Sequence, residues 1–283
     1  MKTIGVVGAG AMGGGIAHVA AISGFDVILH DVSHVALDKS LERISADLQK
    51  GIDKGKVTSD LAAQTKAHIR TASTFEELSS CDFVIEAALE DLGVKKDIFS
   101  RLGQLCSPDT LFATNTSSLS VTAIAASLLN PGRVVGMHFF NPPHLMKLVE
   151  VVRGQHSSED AIQTTIELSK LLGKTPVLAK DTPGFIVNRC ARPFYGEALR
   201  ILGDGIASVE DIDRIVRLEG GFKMGPFELM DLIGIDVNLA VTKSMYEQTF
   251  GEPRYRPHII QQSMVNGGLL GRKTKRGFYT YGS

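Results

Sequence analysis

The first 31 residues contain a glycine-rich turn between two short apolar runs. The runs are "TIGVV" at 3–7 and "DVILHD" at 26–31, and their β-branched residues favour strands. Between them, "GAGAMGGGIAHVAAISG" begins as a turn and continues as an alanine-rich segment that favours a helix. A strand, a glycine turn, a helix and a second strand predict a βαβ unit, and with it a parallel sheet.

The turn has the pattern G-x-G-x-x-G, in which the glycines are Gly8, Gly10 and Gly13. Between a strand and a helix, this pattern is typical of a site for the pyrophosphate of a dinucleotide. The first glycine allows the tight turn, the second lets the backbone approach the phosphates, and the third permits close packing of helix on strand. We expect the intervening residues to contact the dinucleotide as well, namely Ala9, Ala11 and Met12.

Asp31 ends the second strand, 18 residues after Gly13. A carboxylate at this place accepts hydrogen bonds from the ribose hydroxyls of adenosine and repels a 2′-phosphate, which predicts NAD rather than NADP. The alternative is an ordinary glycine turn followed by a surface aspartate.

Further strands are predicted along the first two thirds of the chain. A long helix-periodic stretch runs from Ser33 to about Leu61, and another helix is expected across "VKKDIFSRLGQLC". The predicted strands lie in "AHIRTAS", "DFVIEAA", "TLFATNTSS", "RVVGMHFF", "KLVEVVRG" and "KTPVLAKD". After "KDTPGF" every apolar pattern is helical, so proline and glycine at 183 and 184 mark a boundary.

These elements predict an α/β protein of two domains. Residues 1–183 would form a Rossmann-type dinucleotide-binding domain with a helical hairpin insertion, and residues 184–283 an all-helical domain for substrate and dimerisation.

Composition excludes several classes of protein. The net charge of −1 provides no excess of cations for a nucleic acid. Outside the glycine-rich N-terminus, no apolar run reaches the length of a membrane span. That N-terminus resembles a secretory signal, but its glycines and the strand that follows speak against one. Cys81, Cys106 and Cys190 form no motif for a disulfide framework or a zinc site, so we expect a cytoplasmic protein without a metal.

Polar residues follow two of the predicted strands. Asn115, Thr116, Ser117 and Ser118 come after "LFAT", and Asn141 ends "HFFN" before two prolines. Ligands of such sheets bind beyond the carboxyl ends of the strands, which makes these residues candidates for binding. The alternative for the first group is a cap on the helix in "LSVTAIAASLL".

His138 and Glu150 each interrupt an apolar strand. Glu150 lies inside "KLVEVV", where an ionised carboxylate is costly unless it is paired. The two strands are joined by a short connection, so an antiparallel pair could bring the two side chains together as a general acid/base unit. The alternative for His138 is an ordinary core histidine.

Two further groups of polar residues are less distinctive. Asn188 lies in "DTPGFIVNRC" at the domain boundary, where an ordinary helical position is the alternative. Lys50 and Lys54 are spaced to project together from a helix, with Lys56 nearby, and a solvated face is the alternative.

With these residues assembled, the chain resembles the short-chain L-3-hydroxyacyl-CoA dehydrogenases over nearly its whole length. The resemblance rests on "GVVGAGAMGGGIA", "ATNTSSLSVTAIA", "GMHFFNPPHLMKLVEVV", "KDTPGFIVNR", "GPFELMDLIGID" and "GRKTKRGFYTY". It implies an NAD-dependent dehydrogenase of 3-hydroxyacyl-CoA thioesters, with 3-hydroxybutyryl-CoA as the expected substrate, and a homodimer formed through the helical domain.

The resemblance also implies roles for single residues. His138 would be the general base, and Glu150 would orient it. Ser117 and Asn188 would hydrogen-bond the substrate oxygen. Positions that match the family near the cofactor are Asp31, Glu90, Lys95, Asn115, Ser117, Asn141 and Lys273. Lys50 and Lys54 would meet the phosphates of coenzyme A.

Two other functions remain open at this point. The β-hydroxyacid dehydrogenases share the two-domain plan but use a lysine four residues before an asparagine, where this chain has Gly184 before Asn188. A non-catalytic NAD-binding protein could also keep this scaffold.

Overall fold

The computed structural model describes residues 1–282, which divide into two compact units. The first is Met1–Thr182, and the second begins at Pro183. Within the described residues, no helix is both long enough and apolar enough to cross a membrane.

The first unit contains a single eight-stranded sheet in the order β3-β2-β1-β4-β5-β6-β7-β8. Its strands are β1 Thr3–Val7, β2 Asp26–His30, β3 Ile69–Ala72, β4 Phe83–Glu86, β5 Leu111–Thr114, β6 Val134–Phe139, β7 Leu148–Arg153 and β8 Thr175–Lys180. The first six are parallel, which confirms the predicted Rossmann-type sheet. The last two run the other way, because β7 is antiparallel to β6 and β8 is parallel to β7.

Six helices connect these strands in the described part of the first unit. They are α1 Ala11–Ile22, α2 His34–Asp53, α3 Ser59–Ala67, α4 Leu92–Leu105, α5 Val121–Ala125 and α6 Glu159–Leu171. α2 and α3 form the predicted helical hairpin. The helix-periodic stretch from Ser33 to about Leu61 is therefore two helices, separated by a turn in which Gly55 has φ +64°. α6 was not predicted, although Ser158 caps it by accepting a hydrogen bond from the Ala161 amide.

The core of the first unit lies where α1 packs on the central strands. Ile4 and Val6 of β1 and Ile85 of β4 are fully buried, as are Ile16 and Ala17 of α1. A parallel sheet is covered on both faces, so its central strands are nearly continuous runs of apolar residues. This packing fixes the carboxyl ends of the strands, where the polar residues lie.

The second unit is built from helices, as predicted. They are α7 Val187–Gly203, α8 Val209–Leu218, α9 Pro226–Ile233, α10 Ile235–Gln248 and α11 Ile259–Asn266. Gly234, with φ +102°, separates α9 from α10. After α11 the chain forms a short 3-10 helix, Arg272–Thr274, and two isolated β-bridges. Asp231 accepts hydrogen bonds there from the amides of Phe278 and Tyr279.

Candidate active site

The glycine turn leaves β1 with geometry that only glycine tolerates at two positions. Gly8 has φ +101°, and a Cβ there would lie 2.6 Å from the Ala87 carbonyl oxygen. A Cβ on Gly13 would lie 1.7 Å from the Gly8 carbonyl oxygen, because α1 begins directly against the turn. A Cβ on Gly10, in contrast, would meet no atom within 4 Å, so the backbone there is open to a ligand. Met12 packs against the core.

Asp31, which directly follows β2, forms a hydrogen bond with the glycine turn. Its Oδ2 accepts a hydrogen bond from the Ala9 amide at 2.7 Å, and its Oδ1 accepts one from the Ser33 amide at 2.9 Å. Arg43, on α2, donates to the Ala9 carbonyl at 2.9 Å. Arg43 was not predicted, because the spacing of a polar residue on a helix does not tell which distant loop its side chain reaches.

A buried ion pair lies at the end of β4. Lys95 and Glu86 have side chains that are 1% and 0% exposed, and their Nζ and Oε1 atoms are 2.6 Å apart. Glu86 also accepts hydrogen bonds from the Thr114 hydroxyl and the Ala88 amide, both at 2.7 Å. Lys95 lies 3.3 Å from a second carboxylate, that of Glu90. Glu86 was not predicted; its signal was a carboxylate that ends an otherwise apolar strand.

Glu90 organises the polar loop that follows β5. One of its oxygens accepts hydrogen bonds from the Thr116 hydroxyl at 2.6 Å, the Ser117 amide at 2.9 Å and the Ser118 amide at 3.2 Å. Burial raises the pKa of Glu90, but the charge of Lys95 and these hydrogen bonds outweigh burial, so its pKa lies below the ordinary value. Glu90 is therefore a carboxylate that fixes the backbone at Ser117.

Asn115 ties the ends of β5 and β6 together. Its side-chain Oδ1 accepts a hydrogen bond from the Phe139 backbone amide at 2.8 Å. Its backbone N–H donates to the Glu86 backbone carbonyl at 2.7 Å. These bonds place the loop after β5 beside the strand that carries His138.

His138 and Glu150 face each other across the antiparallel pair of β6 and β7. They are direct partners in the register, and His138 Nδ1 lies 2.8 Å from Glu150 Oε2. The two residues are 6% and 1% exposed. Because a carboxylate can only accept, Nδ1 is the donor in this pair, which leaves Nε2 as the ring nitrogen on the opposite side. The arrangement is that of a histidine base oriented by a buried acid.

Lysines line a pocket of the first unit that has a volume of about 660 Å³. They are Lys50, Lys54, Lys56, Lys147 and Lys174. Lys50 forms an ion pair with Asp47, with 3.2 Å between Nζ and Oδ1. Asn141 lines a smaller pocket of about 180 Å³ together with Ala11, at the start of α1.

Asn188 and Lys273 belong to the second unit. Asn188 is the second residue of α7, and its Oδ1 accepts a hydrogen bond from Arg192 at 3.4 Å. Lys273 pairs with Asp236 at 2.6 Å, near the start of α10. Their expected roles stay predictions.

Both units match models of one protein family. Residues 3–182 match the NAD binding domain of 3-hydroxyacyl-CoA dehydrogenase, and residues 184–281 match the C-terminal domain of the same enzyme. The chain belongs to the 3-hydroxyacyl-CoA dehydrogenase family. The first unit is accordingly the NAD-binding domain, and the open backbone at Gly10 and the acidic Asp31 fit that cofactor.

Relatives within this family are similar over the whole chain. A 3-hydroxybutyryl-CoA dehydrogenase of Clostridioides difficile is 45% identical, with 98% of each protein covered. A 3-hydroxyadipyl-CoA dehydrogenase of Escherichia coli is 47% identical over 99% of this chain, which spans only 59% of that protein. The crystal structure of (S)-3-hydroxybutyryl-CoA dehydrogenase from Ralstonia eutropha has a TM-score of 0.96 at 40% identity and covers all of both chains.

The ion pair in this dehydrogenase-family fold yields a prediction on stability. Lys95→Met leaves Glu86 buried without its counter-charge, which should lower the free energy of unfolding by about 3–5 kcal/mol. Adding Glu86→Gln removes the uncompensated charge and should recover part of that loss. Equilibrium unfolding in urea measures both variants.

The control is Lys96→Met, which removes a neighbouring lysine that is not fully buried and should change stability by no more than about 0.5 kcal/mol. A Lys95→Met protein as stable as the unchanged chain would contradict the prediction, as would a double variant no more stable than Lys95→Met alone.

Proposed function

We propose that this chain interconverts (S)-3-hydroxyacyl-CoA and 3-ketoacyl-CoA with NAD as the cofactor, and that 3-hydroxybutyryl-CoA and acetoacetyl-CoA are its substrate pair. The observation that carries the proposal is the hydrogen bond of 2.8 Å between His138 and Glu150 at the end of β6. The names of the relatives, several of which are 3-hydroxybutyryl-CoA dehydrogenases, support a four-carbon acyl group.

His138 would handle the proton of the reaction. In the oxidative direction, Nε2 accepts the proton of the 3-hydroxyl group while Glu150 stabilises the resulting imidazolium at Nδ1. When bound, NAD would supply the redox chemistry as the acceptor of the hydride from C3 of the substrate. In the reverse direction the imidazolium returns the proton to the alkoxide.

Other residues would hold the cofactor and the reacting oxygen. The glycine turn and Asp31 would bind the pyrophosphate and the adenosine ribose. Ser117, which the backbone bond to Glu90 holds in place, would donate its hydroxyl to the substrate oxygen. The assignment of Asn188 to the same oxygen is supported by the family resemblance alone.

Coenzyme A would be recognised by its phosphates. The pocket of about 660 Å³ carries five lysines, including Lys50 and Lys54. Such a concentration of cations suits a ligand with several phosphate charges, and the lysines would act on it together.

A homodimer through the second unit and a cytoplasmic location complete the proposal. On α9 and α10, Phe227 and Met230 are fully buried, whereas Leu232, Ile233 and Val237 are 49%, 42% and 47% exposed. This exposed apolar face supports an interface. Sedimentation should give twice the chain mass of 30.4 kDa, and cell fractionation should find the protein in the cytoplasm.

The lysine chemistry of the β-hydroxyacid dehydrogenases has no support at Gly184. This residue has φ +75°, and a Cβ there would lie 2.5 Å from the Met245 Cε atom. A lysine side chain at that position would therefore be strained and crowded.

Loss of NADH absorbance with acetoacetyl-CoA tests the function. We expect fast oxidation of NADH and much slower oxidation of NADPH, because Asp31 repels a 2′-phosphate. An acetoacetyl ester without coenzyme A should react slowly. Equal rates with both cofactors would contradict the assignment of Asp31, and equal rates with ester and thioester would contradict the substrate class.

The roles of His138 and Glu150 predict how two variants behave. His138→Gln should reduce turnover roughly 10²–10⁴-fold, because it removes the base. Glu150→Gln should also cause a large loss of turnover, and both variants should bind NADH with nearly unchanged affinity. Steady-state kinetics and NADH fluorescence measure the two quantities.

His156→Gln serves as the control, since His156 is exposed and lies outside the site. Near-normal turnover of His138→Gln would reject it as the base. Loss of NADH binding in Glu150→Gln would show that Glu150 has a structural role.

A further inference from the structure

Three side chains with metal-binding atoms meet in the wall of the lysine-lined pocket. His18 comes from α1, Asp47 from α2, and His144 from the connection between β6 and β7. One ligand atom from each lies within 4.8 Å of the other two. The proposed reaction uses none of these three residues.

His18 is a buried polar side chain that stacks on His144 and has no hydrogen bond within the described residues. It is only 5% exposed, and its ring lines both pockets. The His18 ring nitrogens are not among the fully enclosed side-chain atoms that lack a hydrogen bond, so they reach the pocket and are accessible to a ligand.

The two imidazoles are stacked at a separation that is compatible with a shared metal ion. Their ring centres are 5.4 Å apart, and the ring planes differ by 27°. Two histidines on one tetrahedral zinc ion, with Zn–N bonds of about 2.0–2.1 Å, have ring centres about 5 Å apart. The third group is close as well, because Asp47 Oδ2 lies 3.8 Å from His144 Nδ1.

We propose that His18, Asp47 and His144 bind a divalent transition-metal ion of the zinc type. Two imidazoles and one carboxylate are a ligand set that zinc takes in proteins, and three protein ligands leave the fourth tetrahedral position to water. The site goes beyond the proposed dehydrogenase reaction, and no step of that reaction passes through it. It joins two helices and a loop of the first unit.

Two neighbouring lysines, Lys50 and Lys174, bear on how strongly the site would bind a metal ion. Lys50 now pairs with Asp47, but its side chain is 69% exposed and can turn away into solvent. Lys174 is held by the carbonyl oxygens of Pro143 and Met146, at 2.5 and 2.9 Å. Asp47 therefore provides the negative charge of the site, and Lys50 competes with the metal for it.

Titration with Co²⁺ tests the site in the full chain, freed of any affinity tag and treated with a chelator. The chain should bind one Co²⁺ with the visible absorption of a tetrahedral complex, and Zn²⁺ should displace it. Zn²⁺ should also raise the midpoint of thermal unfolding, because the metal binds only the folded protein. None of these measurements uses substrate, so their outcome is independent of the proposed function.

Variants distinguish this site from accidental binding. His144→Gln and Asp47→Asn should each weaken Co²⁺ binding roughly 100-fold or more. Lys50→Met should strengthen binding, because it removes the competitor. The controls His156→Gln and Cys190→Ser should bind as the unchanged chain does; Cys190 is included because its thiol is exposed.

Three results would overturn the proposal. The first is a chain that binds no Co²⁺ or Zn²⁺. The second is binding that persists in both His144→Gln and Asp47→Asn, provided that both proteins keep their thermal unfolding transition. The third is binding that disappears in Cys190→Ser, which would assign the metal to the exposed thiol.

Discussion

The first unit depends on the carboxylate of Glu150, which is buried in the middle of the valine-rich strand β7. His138 provides this carboxylate with a hydrogen-bond partner. Glu150 is 1% exposed and is flanked by Val149 and Val151, both fully buried. A shift of the β6–β7 register by one residue would turn these side chains to opposite faces and leave both polar groups buried without each other. The hydrogen bond that would make His138 a base therefore also helps to fix the register of the sheet.

A second buried charge organises the same edge of the sheet. Lys95 stands between Glu86, which closes β4, and Glu90, which holds the amides of Ser117 and Ser118. Breaking a buried pair is costly because the remaining charge has no water around it. The loop after β5 is thus held by Glu90 as well as by its own Thr116, whose hydroxyl accepts from the Leu119 amide, and the position of the Ser117 hydroxyl depends on both.

Patterns of short range were sufficient for most of the fold. The glycine turn, the eight strands and the helical second unit follow from local composition, and the pairing of His138 with Glu150 follows from two strands joined by a short connection. The contributions of Glu86 and Arg43 were not predicted, because their partners are distant in sequence and reached only through packing. α6 was missed although Ser158 and the acidic residues after it are an ordinary helix start.

A double-mutant cycle in turnover tests most directly whether His138 and Glu150 act as one unit. Acetoacetyl-CoA reduction would be measured for His138→Gln, Glu150→Gln and the combined variant. If Glu150 acts only through His138, the combined variant should be no slower than His138→Gln alone, because groups that act together lose activity non-additively. Losses that multiply in the combined variant would contradict the dyad and give the two residues independent roles.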